Sequence, residues 1–225
     1  MFLLIDKPKG MTSHDVVDRV RGITGERRVG HAGTLDPNAT GLLILGIGRD
    51  STKQLGKITR KGRKTYRAEI FLGEERETDD SEGKVTSRVR GFLVPAEKEI
   101  KKIVDSFRGE IRQIPPAFSA IKLKGKKAYQ LARKGKEVHL PSRKITIHSI
   151  KVLDYNYPIL AFECWVSSGT YIRALARDIG RKIGCGAYLK ELRRTKIDGY
   201  WLTKAVKLDV LNKANWKDFA IDYLR

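Results

Sequence analysis

The sequence predicts an α+β fold in which helices flank a mixed, mainly antiparallel sheet. Three observations carry that expectation. Residues 64–72 alternate, with Tyr66, Ala68, Ile70 and Leu72 on one face, the period of a half-buried strand. Residues 145–150 and 161–166 read as two strands that pair across a turn at Asn156-Tyr157-Pro158. Ile172, Leu175, Ala176, Ile179 and Ile183 fall at helical spacing on the inner face of a helix that stops at Gly184. Strands and helices are intermixed without a regular βαβ alternation, which argues against a doubly wound parallel sheet.

The remaining elements follow in order. Ser13 reads as the N-cap of a helix whose apolar face is Val16, Val17, Val20 and Ile23. Arg19, Arg21, Arg27 and Arg28 lie on or just after it. A glycine-rich loop over residues 30–41 leads into an apolar run at 42–45, the pattern of a buried strand. Gly46-Ile47-Gly48 lacks the third glycine of a dinucleotide fingerprint and is read as close packing. Residues 78–83 form a turn, after which Val85 and Val89 begin a short strand. Pro95 opens a helix with Ile100, Ile103, Val104 and Phe107 at helical spacing, and Ile114-Pro115-Pro116 ends regular structure. A lysine-rich excursion follows over residues 122–143, with a short helix expected around 128–133. It is either a solvated loop or an arm whose Lys122, Lys124 and Lys126 grip phosphates; Tyr129 is its one aromatic. With no internal repeat and no low-complexity linker, residues 1–225 are expected to form a single domain.

Composition narrows the function classes. Forty-six Lys and Arg against twenty-six acids give a net charge of +20, which points to a polyanionic partner. The cations are spread along the whole chain and no basic amphipathic helix collects them, so nucleic acid is favoured over an anionic membrane. Cys164 and Cys185 have neither disulfide nor metal spacing, and the four histidines lack ligand spacing. The opening apolar stretch is too short for a signal sequence, and a cytoplasmic protein is expected. A Walker loop, a metal-binding histidine pair and a Ser-His-Asp order are all missing. An enzyme built on this chain would work without redox change, energy input or metal.

The loop Gly30-His31-Ala32-Gly33-Thr34-Leu35-Asp36-Pro37-Asn38-Ala39-Thr40-Gly41 holds one carboxylate, Asp36. It is either a turn opener, as Asp-Pro commonly is, or a nucleophile or acid/base group displayed beside a core strand. Three further segments mix polar and aromatic residues where a pure core would not. They are Lys64-Thr65-Tyr66-Arg67, residues 167–173 around Tyr171 and Arg173, and residues 189–194 ending in Leu192-Arg193-Arg194. If the backbone stays extended at 171–173, Tyr171 and Arg173 project to the same side.

Together these segments resemble the TruB (tRNA pseudouridine(55) synthase) family over nearly the whole chain. The matching motifs are Lys7-Pro8-Lys9-Gly10-Met11-Thr12-Ser13, Gly30 to Pro37, Lys64-Thr65-Tyr66-Arg67-Ala68, Pro115-Pro116-Ala117-Phe118-Ser119-Ala120, Gly169-Thr170-Tyr171-Ile172-Arg173 and Leu192-Arg193-Arg194. The resemblance implies a pseudouridine synthase-like catalytic domain with a thumb segment at about 116–143. It implies an isomerase that needs no cofactor and no metal, acting as a monomer on the T stem-loop of tRNA. Asp36 would be the nucleophile, Arg173 the cation that keeps it ionised, and Tyr66 the residue stacking on the target base. Tyr171, Leu192 and His31 would complete the base pocket, with Arg19, Arg21, Lys64, Lys122, Lys124, Lys126 and Arg193 as RNA contacts. Two departures stand out: the small C-terminal RNA-binding (PUA) domain usual in the family is expected to be absent, and an aspartate of the acidic turn is Glu77 here. A guide-RNA-dependent synthase subunit and a non-catalytic tRNA-binding helper are the alternative readings.

Overall fold

The computed structural model describes residues 1–225 apart from Arg90, Lys124 and 223–225, and the side chain of Lys61. The chain divides into two compact units, one of residues 1–67 and 191–225, the other of residues 68–190. The first unit opens with β1 (Phe2–Lys7), α1 (Ser13–Thr24), β2 (Val29–Ala32), β3 (Thr40–Ile47), α2 (Arg49–Lys61) and the start of β4 (Lys64–Leu72). The second holds the rest of β4, then β5 (Glu74–Arg76), β6 (Val85–Arg88), α3 (Glu97–Asp105), β7 (Gly109–Gln113), β8 (Lys122–Leu123), β9 (Lys126–Lys127) and α4 (Ala128–Ala132). It continues with β10 (Arg143–Asn156), β11 (Ile159–Val166), α5 (Ile172–Ile183) and the first residues of β12 (Ala187–Ile197). The chain ends in the first unit with β13 (Tyr200–Trp201), β14 (Val206–Lys207) and β15 (Ala220–Ile221).

In the first unit, β3 pairs antiparallel with β1 and β2 and parallel with β12, and β1 pairs parallel with β14. In the second, β10 lies antiparallel between β11 and β7. The sheet is therefore mixed and mainly antiparallel, as the sequence predicts.

Strand alternation explains how the first unit is covered on both faces. Leu3, Ile5, Leu43 and Leu45 point to one side, where Val16, Val17, Val20 and Ile23 of α1 meet them. Phe2, Leu4, Leu42 and Ile44 point to the other, against Leu55 of α2. Both strands are consequently apolar at nearly every position, the signature of a sheet with no wet face. In the second unit Phe162, Cys164 and Val166 of β11 and Leu175, Ala176 and Ile179 of α5 are fully buried.

Several local expectations shift by a residue or two. Thr12, not Ser13, caps α1: its hydroxyl accepts from Asp15 N and Asp15 answers with a bond to Thr12 N. Helix α3 begins at Glu97 rather than at Pro95, and Phe107 lies beyond its end. The helix at 172–183 ends at a left-handed Gly184, as expected. Helix α2 and strand β12 have no counterpart in the sequence reading.

Gly46 of β3 sits where α2 crosses closely. A Cβ there would lie 3.0 Å from the Ser51 backbone and 3.1 Å from Leu55 Cδ1, so close packing accounts for Gly46; Gly48 has open space around it and instead takes φ of +86° before α2. Gly46→Val should lower stability by about 3 kcal/mol, because overpacking against helix backbone outweighs the gain in strand propensity. A urea titration followed by circular dichroism checks the loss.

Candidate active-site loop

Residues 33–39 form no regular ladder. Gly33 and Gly41 take φ of +74° and +101°, and a Cβ on Gly41 would lie 2.3 Å from the Arg194 carbonyl oxygen of β12. An irregular segment packed into a core leaves backbone groups that need other partners. Here buried side chains supply them. Ser13 Oγ both donates to Leu35 O at 3.1 Å and accepts from Leu35 N at 2.9 Å. Arg194, 1% exposed, donates from Nη2 to Gly33 O at 2.9 Å and from Nε to Leu42 O at 2.8 Å. Lys7, fully buried, donates from Nζ to the carbonyls of Pro8, Met11 and Pro37. Pro37 O also accepts from Gly10 N at 2.9 Å, and Ala39 N closes the turn onto Asp36 O at 3.0 Å.

Asp36 thus stands half-buried on a turn pinned on both sides. Its carboxylate is felt by Lys7. Burial lowers the Lys7 pKa to about 8; Asp36 opposes that shift while Arg194 adds to it. Lys64, also buried, donates to Gly62 O at 2.6 Å, and burial with the Arg194 charge lowers it to about 8 as well. Each of these lysines holds fewer protons folded than unfolded between about pH 8 and 10.5. Their contribution to stability therefore rises with pH across that window.

The other expected site residues of the first unit fall on elements around this loop. Tyr66 is buried on β4, on the same strand face as Lys64. His31 on β2 is half-buried; burial, Arg194 and His14 all push its pKa down, and its Nδ1 is buried with no hydrogen-bond partner among the described residues. Leu192 on β12 is half-buried and its carbonyl accepts from Thr40 Oγ1 at 3.3 Å. Arg193 pairs with Asp6 at 2.7 Å and donates to Thr40 Oγ1 at 3.2 Å. Arg19 is exposed, whereas Arg21 ties α1 to β2 by bonds to Asp18 and Val29 O.

The second unit holds Tyr171, Arg173, Lys122 and Lys126; Lys124 lies outside the described residues. Tyr171 is the N-cap of α5, so the chain turns helical at Ile172 and the extended reading of 171–173 does not hold for Arg173. Buried Gln113 brackets the Tyr171 backbone, accepting from its N–H at 2.9 Å and donating to its carbonyl at 3.1 Å. Arg173, 7% exposed, donates to Thr78 O at 3.1 Å and stands 3.2 Å from Asp80 Oδ2. Lys122 and Lys126 are exposed on the β8–β9 hairpin. Sequence reasoning missed Lys7, Ser13, Arg194 and Gln113 as supports. Strand alternation placing Lys64 beside Tyr66 was the one available sign of a buried lysine.

A rigid loop presenting a half-buried carboxylate, served by buried cations, fits an enzyme better than a plain binding surface. Comparison with known proteins names the class. Residues 21–172 match the model for the TruB family pseudouridylate synthase N-terminal domain, and residues 173–225 match that for the tRNA pseudouridylate synthase B C-terminal domain. The chain belongs to the TruB family of pseudouridylate synthases and is an isomerase.

Curated relatives called tRNA pseudouridine synthase B include one from Aquifex aeolicus, 46% identical over 97% of this chain and 76% of its own length. One from Mycobacterium avium is 45% identical over 98% of this chain and 72% of its own. Among solved structures, a Cbf5-Nop10-Gar1 complex contains a chain of TM-score 0.73 and 28% identity, matched over 98% of this chain and 56% of that one. An H/ACA RNP bound to a substrate RNA containing 2′-deoxyuridine gives 0.69 and 26%, over the same shares.

Replacing Lys7 by Met leaves three carbonyls without their shared donor. Lys7→Met should cost about 3 kcal/mol in thermal or urea unfolding, the penalty of buried unsatisfied acceptors exceeding the relief of a desolvated charge.

Proposed function

We propose that this chain converts uridine 55 in the T loop of tRNA to pseudouridine, with Asp36 as the nucleophile after the base is flipped out. The single observation that carries the assignment is the pinned Asp36 turn in a TruB-family chain. The tRNA substrate is supported by relatives named for it at about 45% identity. The reaction breaks the N1–C1′ glycosidic bond, turns the uracil and forms a C5–C1′ bond, after which C5 loses its proton and N1 takes one up. Atoms are conserved throughout, so no cofactor is consumed.

Asp36 adds either to C1′ of the ribose or to C6 of the base; both roles require the ionised form. A carboxylate sheltered from water drifts toward its neutral form unless a cation attends it, and Arg173 is assigned that part. Tyr66 stacks on the flipped uracil and its hydroxyl assists removal of the C5 proton. Tyr171 and Leu192 close the base pocket, and His31 fills the gap that the base leaves or holds the displaced nucleotides. Extrusion costs a few kcal/mol, which phosphate contacts of the basic surface offset. Arg19, Arg21, Lys122, Lys124, Lys126 and Arg193 are assigned to those contacts, acting in a monomer in the cytoplasm; Lys64, expected among them, is buried and bonded to Gly62 O and is not assigned there.

A guide-RNA-dependent subunit is the second reading, favoured by the similarity to Cbf5 in an H/ACA RNP. Identity of 28% there against 46% to a tRNA pseudouridine synthase B argues for the stand-alone enzyme.

Purified protein should modify a bare T-stem-loop transcript at one position, read by carbodiimide mapping. Asp36→Asn should reduce turnover on the order of 10⁴-fold or more while tRNA binding persists. Near-parental turnover of that variant overturns the nucleophile assignment. Binding without conversion by the parent protein would instead favour a tRNA-binding helper.

A further inference from the structure

Helix α5 carries arginines at 173, 177 and 181, and each meets an acid of the segment 74–83. Steps of four residues climb a helix by about 6 Å and stay on one face, so the three form a ladder. Arg181 makes the outer rung, with bonds of 2.7 and 3.0 Å to the two oxygens of Glu75. Arg177 makes the middle rung, 2.8 Å from Asp79 Oδ2, and also donates to Ile114 O at 2.9 Å and to Asp178. Arg173 makes the inner rung on Asp80 and the Thr78 carbonyl.

Asp79 is unlike the other acids of this set. It is buried and takes φ of +60°, a left-handed conformation that strains a non-glycine residue. Its backbone is held on both sides, by Arg76 O and by Leu189 N. Two acceptors of Arg173, Thr78 O and Asp80 Oδ2, flank it in the chain, and Phe118 O accepts from the same guanidinium at 3.4 Å.

We propose that Asp79, acting through Arg177, is a positioning residue for Arg173: its ion pair fastens the 78–80 backbone to α5 between two of the groups that hold the Arg173 guanidinium. The inference rests on the assignment of Arg173 as the cation that serves Asp36. It adds a residue that touches neither substrate nor reacting atoms.

The charged groups around Asp79 are Arg173, Arg177, Asp178 and Arg181 of α5, and Glu75, Arg76 and Asp80 of its own segment. β12 contributes a backbone N–H and residue 114 a carbonyl already bound to Arg177. Burial outweighs the three arginines and, aided by Asp178, pushes Asp79 from 3.8 up to about 6. Between those values the folded chain binds more protons than the unfolded one, so this group's contribution to stability falls as pH rises through the window. The ionised form, which makes the rung, is the form that costs stability. A side chain kept charged against its own stability suits a positioning role better than a packing role.

The test is steady-state kinetics of the full chain on T-stem-loop RNA. Asp79→Asn keeps the shape and removes the charge. Its kcat at pH 7.5 should fall about tenfold, the scale of a small misplacement of a catalytic group, with KM changed less than about twofold. The parent's decline in kcat as pH falls through about 6 should vanish in the variant. Arg177→Lys, which loses the fork that grips Asp79 and Ile114 O together, should show the same split and serves where Asp79→Asn does not fold. Parental kcat, or an acid limb that persists in a folded variant, overturns the inference while leaving the role of Arg173 intact. Full turnover by Arg173→Ala would remove that role, and this inference with it.

Discussion

The structure depends on satisfying the backbone of a loop that can form neither helix nor strand. Between Gly33 and Gly41 the chain must turn sharply, approach β12 to backbone contact and still lie against the core. Each carbonyl buried in that course would cost about 1–3 kcal/mol if left unpaired. A serine hydroxyl can donate to only one carbonyl, as Ser13 does to Leu35 O. Lys7 satisfies three carbonyls from one nitrogen, and Arg194 spans Gly33 and Leu42 with one rigid fork. Desolvating those cations is itself costly, which is why the Lys7 pKa falls to about 8. The arrangement is tolerable because Asp36 lies within electrostatic reach of the same lysine.

The second unit solves a related problem in the same way. Arg173 and Arg177 are nearly buried, and each combines a carboxylate with a backbone carbonyl, Thr78 O for one and Ile114 O for the other. Buried ion pairs are poor evidence for stability, since apolar residues of similar volume often do as well. What such pairs fix is direction. A guanidinium committed to two acceptors of known position cannot wander, whereas a leucine in its place would specify only volume.

Elements with a strong period were legible in advance, and those without one were not. Helix α5 shows its apolar stripe and its glycine stop, and the β10–β11 pair shows its turn, because side-chain burial there follows one clear face. Helix α2 buries little beyond Leu55 and Ser51, so its sequence of Arg, Lys, Thr and Gln hides the stripe. Strand β12 carries charges at 190, 191, 193, 194 and 196, and its buried positions are set by neighbours distant in sequence. At the site, the loop, Asp36, Tyr66 and Arg173 stood out as residue types. Their supports did not, because a lysine in a motif looks the same whether it faces solvent or carbonyls.

That ambiguity changes what the charge of +20 means. Composition alone treats all forty-six Lys and Arg as candidates for contact with a polyanion. Lys7, Lys64, Arg173 and Arg194 are buried and already committed to the protein's own oxygens. They still add to the long-range field that draws a polyanion in, because a field does not require contact. They cannot release counterions from phosphates that they do not touch, so the salt dependence of binding counts only the exposed cations. Lys64 shows how the two populations could be told apart in advance. It shares the even-numbered face of β4 with Tyr66, Ala68, Ile70 and Leu72, and alternation carried two residues further assigns it to the interior. Lys122 and Lys126, on a hairpin outside any apolar period, belong to the population free to meet phosphate.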